Sequence, residues 1–129
     1  MTVSKLLDSS IWLAYLFNGL CADIVESGEL FFLSTLSLFE LRKKLASNGF
    51  PAAKISKSMD FVKAKSLTIP LSANIAEEAV TLAIYHDLPA IDSLIYATAI
   101  LNSVSLITLD NDFRGLKHVV IPHTPNKNK

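Results

Sequence analysis

The side chains best suited to do chemistry are five acids placed where the chain is predicted to leave a strand or enter a helix. Carboxylates that converge on a largely apolar scaffold repel one another, so they must either take up protons or bind a cation. An oxygen-only ligand set suits Mg²⁺ or Mn²⁺ far better than zinc. Such ions activate water and stabilise charge on phosphate oxygens, which is the chemistry of phosphodiester hydrolysis. The five acids are Asp8, Glu40, Asp92, Asp110 and Asp112.

The elements that must position these acids are indicated by short apolar runs that alternate with helical patterns. Between the runs, apolar residues recur at helical spacing, and residues such as Ser72 and Gly49 mark helix ends. The segment 90–103 is apolar nearly all round, which predicts a central buried helix. The five runs predicted to be strands are residues 5–8, 29–34, 66–71, 104–108 and 118–122. The third contains Pro70, which predicts a place at the edge of the sheet.

Strands that alternate with helices predict an α/β fold, here a three-layer α/β/α sandwich with a mainly parallel sheet of about five strands. In a parallel sheet every strand ends at the same edge, and ligands bind there. Asp8 follows the first predicted strand, and Asp110 and Asp112 follow the fourth. Glu40 and Asp92 lie near the starts of helices. We therefore expect all five acids at one edge.

Each acid also has a simpler structural explanation when it is taken alone. Asp8 and Asp92 are at positions typical of helix caps, where a carboxylate accepts hydrogen bonds from free backbone N–H groups. Glu40 has the spacing of an i,i+4 pair with Lys44. The two acids after the fourth strand are typical of an Asx turn. These structural interpretations stay open beside the metal-site interpretation.

Composition predicts one soluble cytoplasmic domain. The chain has 129 residues, of which 50% are hydrophobic and 19% charged, so much of it must be buried against itself or a partner, and a homodimer is expected. The single cysteine, Cys21, fits a reducing compartment. No apolar run approaches the roughly 18 residues of a membrane span, and the first residues are read as mature protein. We expect a domain over residues 1–122 and a flexible tail over 123–129.

Charge is unevenly distributed although the formal net charge is zero. No lysine or arginine occurs from Ser66 to Phe113, whereas cations crowd the segment 42–65. Lys43 and Lys44 are close to Glu40 in sequence and are candidates for attracting an RNA backbone, although lysines on exposed helix faces are ordinary. The histidines are read as structural or surface residues rather than ligands: His86, His118 and His123.

Four motifs, in order and spacing, resemble those of the PIN-domain nucleases, particularly the VapC-type toxins of toxin–antitoxin pairs. They are "LLDSSIWLAYL", the glutamate in "STLSLFELRKKL", "AIDSLIYATA" and "LITLDNDF". The resemblance spans Lys5 to Pro122 and implies a metal-dependent endoribonuclease that cuts single-stranded or structured RNA. It also implies a cognate antitoxin that covers the active-site groove, and a homodimer is common in the family.

Residue by residue, the resemblance implies a catalytic acidic cluster of Asp8, Glu40, Asp92 and Asp110. The implied metal ligands are three of these aspartates, Asp8, Asp92 and Asp110, together with Asp112, and family members differ in which of the last two acids touches the ion. Ser10 and Thr108 match positions that support the cluster by hydrogen bonding, or are an ordinary helix-start hydroxyl and strand residue.

Two rival functions fit the same acids. A catalytically silent PIN-like module would keep the fold and the caps and only hold a protein or RNA partner. An aspartyl-phosphate protein also puts aspartates at strand ends. A phosphatase of that kind needs a second aspartate where this chain has Ser10. A receiver needs a lysine after the last strand pair, and the stretch from Ser66 to Phe113, which has no basic residue, does not favour it.

Overall fold

The computed structural model describes residues 2–124, so residues 125–129 of the predicted tail lie outside the described part. Regular elements follow one another with short connections, and the last acidic motif contains a single 3₁₀ turn at Asn111–Phe113. The elements are β1 (Lys5–Leu7), α1 (Ser9–Asn18), α2 (Ala22–Val25), β2 (Phe31–Ser34), α3 (Thr35–Ser47), α4 (Ala52–Ala64), β3 (Ser66–Ile69), α5 (Ala73–His86), α6 (Ala90–Leu101), β4 (Ser105–Ile107) and β5 (Val119–Val120).

The sheet has five strands in the order β3-β2-β1-β4-β5, and every pairing is parallel. The predicted fold class is therefore confirmed. β3, which ends directly before Pro70, lies at the edge of the sheet, as predicted. Proline has no N–H to donate to a neighbouring strand, so it is tolerated at an edge. β1 and β4 pair near the centre, with Leu6 opposite Leu106 and Leu7 opposite Ile107.

Successive residues of the central strands enter opposite cores, as the pleat of a strand requires. Leu7 and Ile107 pack with residues of α1, α2, α3 and α4, whereas Leu6 and Leu106 pack with α6. α5 packs outside α6 on that second face. Because both faces are covered, the last two residues of each of these strands, Leu6–Leu7 and Leu106–Ile107, are apolar.

The segment between α1 and β2, from which the sequence predicted little, contains the four-residue helix α2. The chain turns into it through left-handed backbone at Gly19 (φ 67°) and Cys21 (φ 60°). A left-handed cysteine costs energy that a glycine would not, and its side chain is buried in the first core. No helix within residues 2–124 is long and apolar enough to cross a membrane.

The two-sided burial of β1 leads to a stability prediction for Leu7, which is fully buried next to Asp8. Leu7→Ala should lower the free energy of unfolding by about 2–5 kcal/mol, because it removes buried methyl groups and leaves a cavity. The measurement is equilibrium unfolding in urea. Leu67→Ala is the matched control, since Leu67 lies on the edge strand and is 48% exposed, and it should cost well under 1 kcal/mol. Equal losses in the two variants would contradict the assigned layers.

Candidate metal centre

Asp8 is held by side-chain hydroxyls rather than acting as a helix cap. It occupies the residue before α1, but its side chain makes no cap hydrogen bond. Its Oδ2 instead accepts hydrogen bonds from Ser10 Oγ at 2.8 Å and Thr108 Oγ1 at 2.9 Å. Asp8 is only 6% exposed, so these bonds compensate for part of the water it gives up. The cap interpretation of Asp8 is therefore wrong.

The same two hydroxyls also bind the backbone after β4. The Leu109 N–H donates to Ser10 Oγ at 3.0 Å, and the Asp110 N–H donates to Thr108 Oγ1 at 3.0 Å. Each hydroxyl thus donates to Asp8 and accepts from the segment that carries Asp110. The structure places Ser10 and Thr108 between the first and the last acidic motifs, in the positions that supporting residues would need.

Three carboxylates approach one another most closely. Asp92, Asp110 and Asp112 each offer an oxygen within 4.8 Å of the others, and we call them the carboxylate triad. Asp110 Oδ1 also accepts a hydrogen bond from the Asp112 N–H at 2.9 Å, so the Asx turn exists. The turn and the cluster are compatible, because the turn is what brings the two side chains together. Asp92 lies in the first turn of α6 without a side-chain cap bond.

Glu40, on α3, is the fifth acid near the carboxyl edge of the sheet. We call the place where Asp8, Glu40 and the carboxylate triad lie the acidic edge. The Glu40 Oε1 accepts a hydrogen bond from Ser9 Oγ at 3.0 Å, which links the first turn of α1 to α3. The ion pair with Lys44 that the spacing allowed is not formed; the ion pair found within residues 2–124 joins Lys5 and Glu29. Sequence reasoning missed Ser9, because a hydroxyl at a helix start gives no signal of which neighbouring helix it will face.

Burial and the neighbouring acids raise the pKa of two of the five carboxyls, Asp92 and Glu40. Burial raises the pKa of Asp92 to about 6, with further contributions from Asp110, Asp8, Glu40 and Asp112. The pKa of Glu40 is also raised, mainly by burial and then by Asp8 and Asp110, and the Ser9 hydrogen bond opposes this. All five acids therefore share one electrostatic environment. A divalent cation is the group that would balance it, and the oxygen donors fit a hard ion.

A shallow cleft lies beside Glu40 on the exposed side of α3. It has a volume of about 230 Å³ and is lined by Phe39, Glu40, Lys43, Lys44 and Ser47. The two lysines predicted to attract RNA thus adjoin the acidic edge. The Lys43 Nζ lies 5.9 Å from the centroid of the Phe39 ring.

His86 and His118 contact other parts of the domain. Within residues 2–124, the carboxylate triad is the group of potential metal ligands that comes together, and it contains no histidine. His86 packs edge-on against Tyr96, with ring centroids 6.0 Å apart. His86 and His118 line a separate cavity next to α6.

The chain is similar to known proteins over nearly its whole length. The model of the PIN domain family matches residues 5–119. A toxin–antitoxin complex from Klebsiella pneumoniae contains a chain with 26% identity and a TM-score of 0.75, and the match covers 93% of this chain and 98% of that one. No curated protein matches in sequence.

Two further solved structures share the fold at lower identity. VapBC2 from Rickettsia felis, bound to a DNA fragment from its promoter, has 15% identity and a TM-score of 0.75 over 95% of this chain and 100% of that one. VapC20 of Mycobacterium tuberculosis, a toxin that cleaves the sarcin–ricin loop, has 15% identity and a TM-score of 0.71 with the same coverage.

The raised pKa of Asp92 predicts a pH dependence of stability in metal-free protein. Since the folded-state pKa is about 6 against an ordinary 3.8, the folded state favours the protonated acid. This stabilisation is fully present below about pH 4 and is lost as the pH rises through 6. In EDTA, Asp92→Asn should therefore be more stable than wild type at pH 7.5, by about 1 kcal/mol after allowance for solvent screening.

The measurement is urea unfolding at pH 5 and pH 7.5 with EDTA present. The advantage of Asp92→Asn over wild type should be about half as large at pH 5, where the unfolded-state carboxyl is mostly ionised but the folded-state carboxyl is mostly protonated. Asp60→Asn, which removes an exposed acid on α4, is the control and should track wild type at both values. An Asp92→Asn variant that is less stable than wild type at pH 7.5 would show that the acids do not repel one another as described.

Proposed function

The chain belongs to the PIN domain family, and from that membership we propose that it is a metal-dependent endoribonuclease that hydrolyses RNA phosphodiester bonds as the toxin of a toxin–antitoxin pair. The observation that carries the proposal is the carboxylate triad, whose oxygens lie within 4.8 Å of one another at the carboxyl edge of the sheet. Asp8 and Glu40 add their charge to the same edge.

The donor set fits Mg²⁺ or Mn²⁺ held by Asp92, Asp110, Asp112 and Asp8, with Glu40 bound directly or through water. Such an ion supplies an activated water and stabilises the charge that develops on the phosphate. The protein's own contribution is orientation. Ser10 and Thr108 hold the Asp8 carboxylate from one side, and Ser9 holds Glu40. No side chain is required as a covalent nucleophile.

Lys43 and Lys44 would draw the RNA backbone toward the acids. Both are exposed on α3, one turn beyond Glu40, and line the cleft beside it. Lysines in such positions neutralise phosphates without reading sequence, so they would contribute affinity and not specificity.

A protein partner is the second part of the proposal. Three solved relatives are described as toxin–antitoxin or VapBC structures, so we propose a cognate antitoxin that covers the acidic edge and inserts a basic side chain among the carboxylates. We also propose a homodimer in the cytoplasm. Exposed apolar side chains of α5 support the need for a partner, since Ile84 is 78% and Tyr85 82% exposed.

The nuclease proposal predicts that RNA cleavage depends on Mn²⁺ and on the acids. EDTA should abolish cleavage and added Mn²⁺ should restore it. Asp92→Asn and Asp8→Asn should each lower the cleavage rate by at least about a hundredfold, because a bound ion contributes several kcal/mol in the transition state. The measurement is cleavage of a labelled RNA by folded protein, with Asp60→Asn as the control. Undiminished cleavage by either Asp92→Asn or Asp8→Asn would disprove the site.

The hydrogen bond from the Thr108 hydroxyl to Asp8 predicts that the Mn²⁺ requirement depends on which residue replaces Thr108. Thr108→Val keeps the shape but removes the bond to Asp8, so we expect the Mn²⁺ concentration for half-maximal cleavage to rise about 10- to 100-fold, as when other supporting partners of metal ligands are lost. Thr108→Ser keeps the hydroxyl and should stay close to wild type. If the valine variant needs no more Mn²⁺ than the serine variant, the Thr108 hydroxyl does not support the metal site.

A further inference from the structure

Phe39 is an exposed aromatic residue of this small domain. Its side chain is 65% exposed, whereas Trp12, Phe31 and Phe113 are fully buried. It immediately precedes Glu40 on α3, so the ring lies beside the acidic edge. Burial of a phenyl ring is favourable, and a ligand that reaches the acids is placed to cover this one.

The surroundings of the ring are cationic. Arg42, Lys43 and Lys44 follow on the same helix and are all exposed, and the Lys43 Nζ lies 5.9 Å from the Phe39 ring centroid. An aromatic face bordered by cations is the arrangement with which proteins bind single-stranded nucleic acid: a base stacks on the ring while the cations follow the phosphates. An apolar protein surface would not require this concentration of positive charge.

The size and direction of the cleft fit part of a strand. Its volume of about 230 Å³ is below the roughly 300–1,000 Å³ of sites that enclose whole small molecules. Its lining residues run from Phe39 to Ser47, a rise of about 12 Å along α3 at 1.5 Å per residue. The cleft thus begins beside Glu40 and extends away from the acidic edge. A nucleic-acid strand could follow it and continue past its far end.

Resting on the proposed nuclease function, we propose that Phe39 stacks against an unpaired base of single-stranded RNA and thereby positions the neighbouring phosphate at the acidic edge. Lys43 then leaves the ring and joins Lys44 on the backbone phosphates. In a continuous duplex both faces of every base are covered by its neighbours, so a paired strand cannot reach the ring. Phe39 is therefore a positioning residue that makes the enzyme select unpaired nucleotides.

The test is binding of a short fluorescein-labelled single-stranded RNA, measured by fluorescence anisotropy with Ca²⁺ in place of Mn²⁺ and with the RNA checked for integrity afterwards. Phe39→Ala should weaken binding about tenfold, since base stacking of this kind contributes on the order of 1–3 kcal/mol. Phe39→Trp should restore it. Tyr85→Ala, which removes an aromatic side chain that is 82% exposed on α5, is the matched control and should bind like wild type. The annealed duplex should bind wild type more weakly than the single strand.

Unchanged binding by Phe39→Ala, or failure of wild type to bind the single strand, would overturn the proposal. Conversion of a dimer to a monomer by Phe39→Ala without loss of RNA affinity would also overturn it and assign the ring to an interface between copies. The same proteins are assayed for cleavage in Mn²⁺. RNA that is cut with no dependence on Phe39 overturns stacking alone, whereas RNA that is bound through Phe39 but not cut overturns the nuclease function alone.

Discussion

The rest of the site depends on the hydrogen bonds of Asp8, which its backbone and its side chain both make to the segment around the end of β4. The Asp8 N–H donates to the Ile107 carbonyl at 2.9 Å, which continues the pairing of β1 and β4 beyond their last strand residues. Its carboxylate then accepts from Ser10 and Thr108, so the ends of the two central strands are joined through side chains as well. The positions of the other acids are set relative to this junction: Asp110 by the segment after Thr108, and Glu40 by Ser9 on the first turn of α1.

Bringing the carboxylates together lowers the stability of the folded state. Burial of apolar side chains in the two cores on either face of the sheet offsets this loss. Burial, and after it repulsion by the neighbouring acids, raises the pKa of Asp92 to about 6. Leu6, Leu7, Leu106 and Ile107 lie directly before the acidic edge and are at most 3% exposed. A scaffold buried on both faces can hold charges in an unfavourable arrangement that a loop could not, which is how functional sites commonly retain strain.

Much of this arrangement was predictable because a parallel sheet has one carboxyl edge. Two strand ends, one followed by Asp8 and the other by Asp110 and Asp112, and the helix starts near Glu40 and Asp92 were enough to predict five acids at one edge. The edge position of β3 followed from Pro70. The partners of the acids were not predictable. Periodicity indicates which face of a helix is buried, but not that Ser9 rather than Lys44 would meet Glu40. Nor did it indicate that Phe39, in a helix with a buried leucine stripe, would point to solvent.

Calorimetric titration of EDTA-stripped protein with Mn²⁺ tests directly whether these acids are arranged to hold a divalent cation. We expect saturable binding of a small whole number of ions per chain, and a large loss of that affinity when Asp110 is changed to asparagine. A titration without saturable heat in folded wild-type protein would contradict this expectation, and would leave the carboxylates as an Asx turn and helix-start residues.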